Sequence, residues 1–199
     1  MLQIWLENLG KHGFDEVLIN THHHAEQVGE FVRGYKDVPH IRLEYEETLL
    51  GSGGTVFRNR DFVQGEDEFW VIYGDNLSSV DLRRMLDFHK RHGALATIGL
   101  FETENPKQCG IATLDETGRV IEFAEKPTNP KGNLANAGIY LLSNRVFGQV
   151  RWNFPLPIDF SFHILPQLIG QMYGYHIKEY HLDIGTPENY RRAQREYPR

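Results

Sequence analysis

Residues 68–75, EFWVIYGD, form a nearly unbroken apolar run that closes on a glycine and a carboxylate. Such a run has no wet face to offer, so it reads as a β-strand covered on both sides. Helices supply that cover when strand and helix alternate along a chain. Residues 1–13 put Leu2, Trp5, Leu6 and Leu9 on one helical face and stop at Gly13, and residues 25–35 and 81–93 carry the same period. Residues 15–20, 41–47 and 94–102 fall between them as strands. This order predicts an open α/β sheet, mixed and mostly parallel, flanked by helices.

The second half changes character. Two alternating runs around Asp115-Glu116-Thr117-Gly118 signal a hairpin, and residues 103–128 read as a small β-rich insertion. Residues 136–143 are another buried strand, 157–171 a helix interrupted at Pro166, and 173–180 a strand. Thr186 and Pro187 stand at the N-cap and first position of a last helix. No repeat or linker divides residues 1–199, which are expected to form a single domain.

The net charge of −6 argues against a nucleic-acid or anionic membrane partner. No apolar run approaches the ~20 residues of a membrane span. The lone Cys109 can form no bridge within the chain, and no basic-then-apolar leader opens it. The expected location is therefore the cytoplasm.

Asp75 stands just past the carboxyl end of the apolar strand, where open α/β sheets bind ligands, and Gly74 before it leaves the backbone approachable. Asp183 has a similar setting ahead of the last helix. Two such carboxylates suit magnesium together with phosphate oxygens, although each alone is equally a turn residue or a cap. Glu125 and Lys126 end a strand, where the lysine can neutralise a phosphate and the glutamate can accept from sugar hydroxyls. Asn136 and Gly138 open the strand at 136–143. Leu50, Gly51, Ser52, Gly53 and Gly54 form a segment whose glycines expose backbone amides. His22, His23 and His24 are adjacent, so their side chains diverge and do not converge on one metal; Thr21 is expected to cap the following helix.

Taken in order, LLGSGG, YGDN, EFAEKP, NAGIY and LDIGTPENY resemble the sugar-1-phosphate nucleotidyltransferases over nearly the whole chain. The resemblance implies a Rossmann-like nucleotidyltransferase fold. It also implies transfer of a nucleotidyl group from a nucleoside triphosphate to a hexose or heptose 1-phosphate, releasing pyrophosphate. It implies Asp75 and Asp183 as ligands of Mg2+, with Asp75, Asp183 and Lys126 in the catalytic role. Gly110, Glu125, Lys126, Asn136 and Gly138 are implied to hold the sugar phosphate. Leu50 to Gly54, with Gly74, are implied to bind the nucleotide, their amides facing an edge of the base; the segment is nearest to the guanylyl- and mannose-type pattern.

One departure stands out. The family's first strand and its arginine-bearing glycine-rich phosphate loop have no counterpart here, since no Gly-x-Gly-Thr-Arg segment occurs in the sequence. On that reading the chain is an N-terminally shortened form, weakly active or inactive. Its sheet is expected either to draw copies into a homo-oligomer or to rearrange so that another segment fills the gap. Two other readings stand beside it. A binding or regulatory domain of the same fold would need no phosphate loop. A metal-dependent glycosyltransferase would carry an Asp-x-Asp motif, which YGDNLSS lacks.

Overall fold

The strand β8, Leu134–Ser143, is buried along almost its whole length, and the sheet is built around it. In the computed structural model, which describes residues 1–198, β5 (Ala96–Glu102) runs antiparallel along one edge of β8. Its other edge is shared by β3 (Glu68–Ile72) and, through Ile111 opposite Ala135, by β6 (Gly110–Leu114). β7 (Val120–Glu125) closes a hairpin with β6, and β9 (Met172–His176) lies parallel to β5 on its far side. Of these six strands, β3, β5, β6 and β9 share one direction, while β7 and β8 run against them. The sheet is thus mixed: four strands point the same way, while only β5 and β9 are hydrogen-bonded to each other in parallel. The hairpin is no appendage, because it joins β8 and sends Val120 and Phe123 into the core.

Alternation along β8 explains its burial. Ala137, Ile139 and Leu141 face one apolar cluster with Trp5, Leu9, Leu82 and Met85. Tyr140 and Leu142 face a second, with Ile98, Leu100, Phe160 and Ile164. Each such side chain contributes roughly 1.5–3 kcal/mol of burial. Helix α1, Leu2–Lys11, covers the first face. Helix α4, Leu82–His92, does so too, held by an Asp81 cap on the Arg84 amide (3.0 Å) and a left-handed Gly93 stop.

Apart from this sheet, β1 (Glu16–Thr21) and β2 (His40–Tyr45) pair in parallel as a two-stranded unit. Among the described residues β1 pairs with β2 alone and β3 with β8 alone, so each has one free edge. The rearrangement considered from sequence is not adopted. Side chains bridge the two sheets instead: Val17, Trp70 and Ile72 pack on the cluster containing Trp5, and the Phe14 and Trp70 rings meet edge to face at 6.0 Å.

Three local expectations are corrected. Residues 157–171 are interrupted beside Pro166 as expected, but the pieces are shorter and not α-helical: a π-helical turn, Phe160–Ile164, and a 3-10 turn, Leu165–Leu168. Pro166 has no amide proton to continue an α-helix, and its ring crowds the preceding turn. The strand expected at 173–180 ends at His176; β10 (His181–Asp183) follows and pairs antiparallel with β4 (Asn76–Ser78). Thr21 does not cap α2 (Ala25–Gly34): its hydroxyl donates to the Glu44 carbonyl at 3.3 Å, and a left-handed His24 holds the N-cap position.

Candidate active site

The β4–β10 pairing brings residues 108 positions apart in sequence (183 − 75) together. Asp183 sits opposite Asn76, and the Ile184 amide donates to the Asp75 carbonyl at 3.1 Å. Burial pushes the Asp75 carboxyl up, and the Asp183 charge adds to the push. The Asp183 carboxylate is oriented by the Gly185 amide at 2.7 Å. Two like charges this near each other, both hard oxygen donors, would suit a divalent cation that completes its shell with phosphate oxygens and water. Among the described residues no group of three or more His, Cys, Asp and Glu side chains is placed to hold a metal ion.

Glu125 ends β7 directly opposite Gly110 of β6. A Cβ on Gly110 would come within 2.5 Å of the Glu125 Oε2 and 2.6 Å of the Phe123 ring, so glycine there makes room for the glutamate. Lys126 follows with φ 46, a left-handed conformation that costs a non-glycine residue about 1 kcal/mol or more, and its amide donates to the Cys109 carbonyl. Cys109 ties this group to the first: burial raises its thiol, and the charges of Glu125, Asp183 and Lys126 all reach it. Gly138, at φ 66, abuts Tyr73 and Asn76, its carbonyl accepting from the Tyr73 amide at 2.8 Å. Asp75 and Asp183 thus lie within charge reach of the Cys109 neighbourhood that holds Gly110, Glu125 and Lys126, with Gly138 beside Asn76, and together they outline a candidate cleft. Asn136 is oriented inward: its amide donates to the Tyr140 hydroxyl (2.7 Å) and the Ser161 hydroxyl (3.3 Å), and its Oδ1 accepts from the Gly138 amide (3.0 Å). In this structure it shapes the cleft wall through these bonds.

The LLGSGG segment departs from its reading. Ser52 begins a short helix, α3 (Ser52–Arg58), and the amides of Gly53 and Gly54 both donate to the Ile158 carbonyl, at 2.8 and 3.1 Å. They are not turned toward a base. The Ile158 amide returns a bond to the Leu50 carbonyl at 2.7 Å, and the Ser52 hydroxyl accepts from the Phe160 amide at 2.9 Å. A Cβ on Gly51, which has φ 78, would lie 2.5 Å from the Ile158 oxygen. Gly51 and Gly53 lie against the Ile158 backbone, which leaves little or no room for a side chain there. Gly74 differs: nothing in the protein occupies the space beside it.

Sequence reading overlooked three residues here. Glu46, 5% exposed, accepts from the Thr55 hydroxyl and the Leu50 amide and so pins the start of the glycine segment. Tyr73 carries a buried hydroxyl without a hydrogen-bond partner, raised by burial, opposed by the nearby Ser52 hydroxyl, with the Asp159 charge adding to the rise. Asp159 caps the π-helical turn through the Phe162 amide at 2.9 Å. A carboxylate just before an apolar run was the available signal for Asp159, and the acidic pair ahead of the glycines for Glu46. Two shallow depressions lie elsewhere, about 670 Å³ beside Arg84 and Tyr175 and about 630 Å³ beside His22 and Tyr45.

The sequence matches a known family: the nucleotidyl transferase model covers residues 1–199. The chain belongs to that nucleotidyl transferase family. Mannose-1-phosphate guanylyltransferase 1 of Arabidopsis thaliana is 31% identical over 192 residues, covering 93% of this chain and 52% of that protein. Glucose-1-phosphate adenylyltransferase of Acetivibrio thermocellus is 33% identical over 163 residues, covering 76% of this chain and 38% of its own length. The chain spans about half the length, or less, of these curated relatives. The crystal structure of HddC from Yersinia pseudotuberculosis complexed with GMP-PN shares the fold: TM-score 0.80, 22% identity, 99% of this chain and 85% of that one covered.

Proposed function

We propose that this chain forms the body of a sugar-1-phosphate nucleotidyltransferase that joins a nucleoside triphosphate to a hexose or heptose 1-phosphate and releases pyrophosphate. The observation that carries the reading is the pairing of β4 with β10, which sets Asp75 beside Asp183 within the cleft of Glu125 and Lys126. A phosphate oxygen of the sugar 1-phosphate attacks the α-phosphorus, a new P–O bond forms, and the bond to the β-phosphate's bridging oxygen breaks. Such displacement needs positioning and charge neutralisation more than covalent help. Asp75 and Asp183 would hold magnesium, which when bound neutralises charge on the triphosphate. Lys126 neutralises the attacking phosphate, and Glu125 accepts from the sugar. The mannose-1-phosphate guanylyltransferase aligns over more of this chain than the glucose-1-phosphate adenylyltransferase does, 93% against 76%, which favours mannose 1-phosphate or a related sugar, and guanosine as the nucleoside.

The test is pyrophosphate release with magnesium, mannose 1-phosphate and each nucleoside triphosphate. Release is expected to require all three and to fall on the order of 10²–10³-fold in Lys126→Ala, the loss seen when one preorganised charge is removed. Release independent of the sugar phosphate, or consumption of a nucleotide-sugar as donor, sinks the reading. Thermal shifts with uridine or thymidine nucleotides but none with guanosine would overturn the choice of base.

A further inference from the structure

The strand β2, His40–Tyr45, is the outer member of the two-stranded unit and pairs with β1 alone among the described residues. The His40 amide donates to the Asp15 carbonyl at 2.7 Å, and the Glu46 amide to the Thr21 carbonyl at 2.8 Å. A strand turns its backbone groups to alternate sides, so His40, Arg42, Glu44 and Glu46 face β1. Ile41, Leu43 and Tyr45 turn their amides and carbonyls outward, where no other strand meets them among the described residues. The side chains are as open as the backbone. Leu43 and Tyr45 are 36% and 64% exposed, and no β2 side chain joins either apolar cluster, whereas Val17 of β1 packs beside Trp70 and Ile72. We infer that this edge is an interface with a second copy of the chain, β2 pairing antiparallel with the partner's β2 about a two-fold axis at Leu43.

Register carries the inference. One antiparallel alignment leaves none of the outward groups idle: Leu43 opposite the partner's Leu43, Ile41 opposite the partner's Tyr45, and Tyr45 opposite the partner's Ile41. Each such pair exchanges two backbone bonds. The same alignment sets Arg42 opposite the partner's Glu44, and Glu44 opposite the partner's Arg42. Within one strand the Arg42 Nε already donates to the Glu44 carboxylate at 2.7 Å, so the two side chains share a face. Charges of alternating sign would therefore line the seam. A slip of two residues would instead set Arg42 against the partner's Arg42, or Glu44 against the partner's Glu44. Charges on an exposed edge ordinarily keep a second copy away; here they select one alignment of it. On the other face Tyr45 meets a β-branched isoleucine, a favourable cross-strand pair. A depression of about 630 Å³ beside Leu43 and Tyr45, also lined by Gly29 and Arg33 of α2, shows that the helix stands back from the edge and leaves room for the partner's side chains.

The experiment is sedimentation equilibrium of the wild-type chain, of Glu44→Arg, of Arg42→Glu, and of the two variants mixed. The wild type is expected to dimerise. Each variant alone opposes like charges at the seam and should associate about tenfold more weakly, or worse. An equimolar mixture should recover the dimer, because the positive strand of one variant meets the negative strand of the other. Variants merely damaged in folding would not recover it. A second measurement needs no variant. Amide exchange at Ile41, Leu43 and Tyr45 of the wild type should slow as protein concentration rises, while the amides of Arg42 and Glu44, already bonded to β1, should respond far less. A wild-type chain that stays monomeric up to on the order of 10⁻⁴ M overturns the inference. So does a mixture of folded variants no more dimeric than its components, or a set of outward amides indifferent to concentration.

Discussion

The interior around β8 and the cleft at the strand ends are made of neighbouring residues in the same sheet, yet different forces hold them. From Ala137 to Leu142 the side chains of β8 are nearly all apolar, fully enclosed and interchangeable in chemistry if not in shape. A few residues away, at Asp75, Glu125 and Lys126, the groups are charges open to solvent in part or whole, and their surroundings work against them: two carboxyls raised by burial, one lysine in a left-handed backbone. The comparison teaches that the first region stabilises the molecule and the second is carried by it, as expected where strain and unfavourable charge gather at a functional site.

The largest effect that would test this is truncation inside the sheet. Leu141→Ala should cost about 2–5 kcal/mol in urea unfolding, because Leu141 is wholly buried and its removal leaves a cavity. Ile19→Ala in the half-open β1 should cost markedly less, on the order of 1 kcal/mol. Equal losses would break the contrast between the interior and its surroundings.

The interior also holds a titrating group. His89, 2% exposed and 2.8 Å from the Thr97 hydroxyl, is lowered from 6.5 to about 4 by burial first and by the Arg145 and Lys90 charges after it. Between about 4 and 6.5 the unfolded chain therefore binds the extra proton. Stability present above this window should be lost as pH falls through it, by up to ~1.4 kcal/mol per pH unit. Denaturant curves from pH 7 to 4.5 check this, and His89→Gln should flatten the slope.

The smallest effect has the opposite sign. Asp75→Asn should raise stability at pH 7 by up to about 1 kcal/mol, a figure kept low because the residue is exposed and solvent screens its charge. A carboxyl raised by burial binds its proton more readily when folded, so its penalty is present at neutral pH and disappears in acid. The gain should vanish well below pH 3.8, the ordinary value of the group. Loss of stability in Asp75→Asn at neutral pH would show that the cleft is part of the framework after all.

What the sequence conveyed divides along similar lines. The apolar run at 68–75 and the period of α4 were legible because burial on two faces or on one stripe leaves a pattern within a few residues. Asp75 and Asp183 were legible as strand-end acids, and their neighbouring motifs as a family resemblance. The role of Gly53 and Gly54 was not, because it depends on Ile158, more than a hundred positions away, lying against them. Asn136 likewise reads as a free amide until Tyr140, Ser161 and the Gly138 amide are seen around it. Pairings that close only in three dimensions leave no local mark.

The separation of β1–β2 from the β8 sheet carries a consequence for how the molecule opens. No ladder of backbone bonds joins the two units among the described residues, and side chains such as Phe14, Trp70 and Val17 make the join. Contacts of that kind break without disturbing the rest of a sheet, so β1, α2 and β2 form a unit able to detach on its own. Its amides would then trade hydrogen with water through a low-energy fluctuation, while those of β8 wait for the whole fold to come apart.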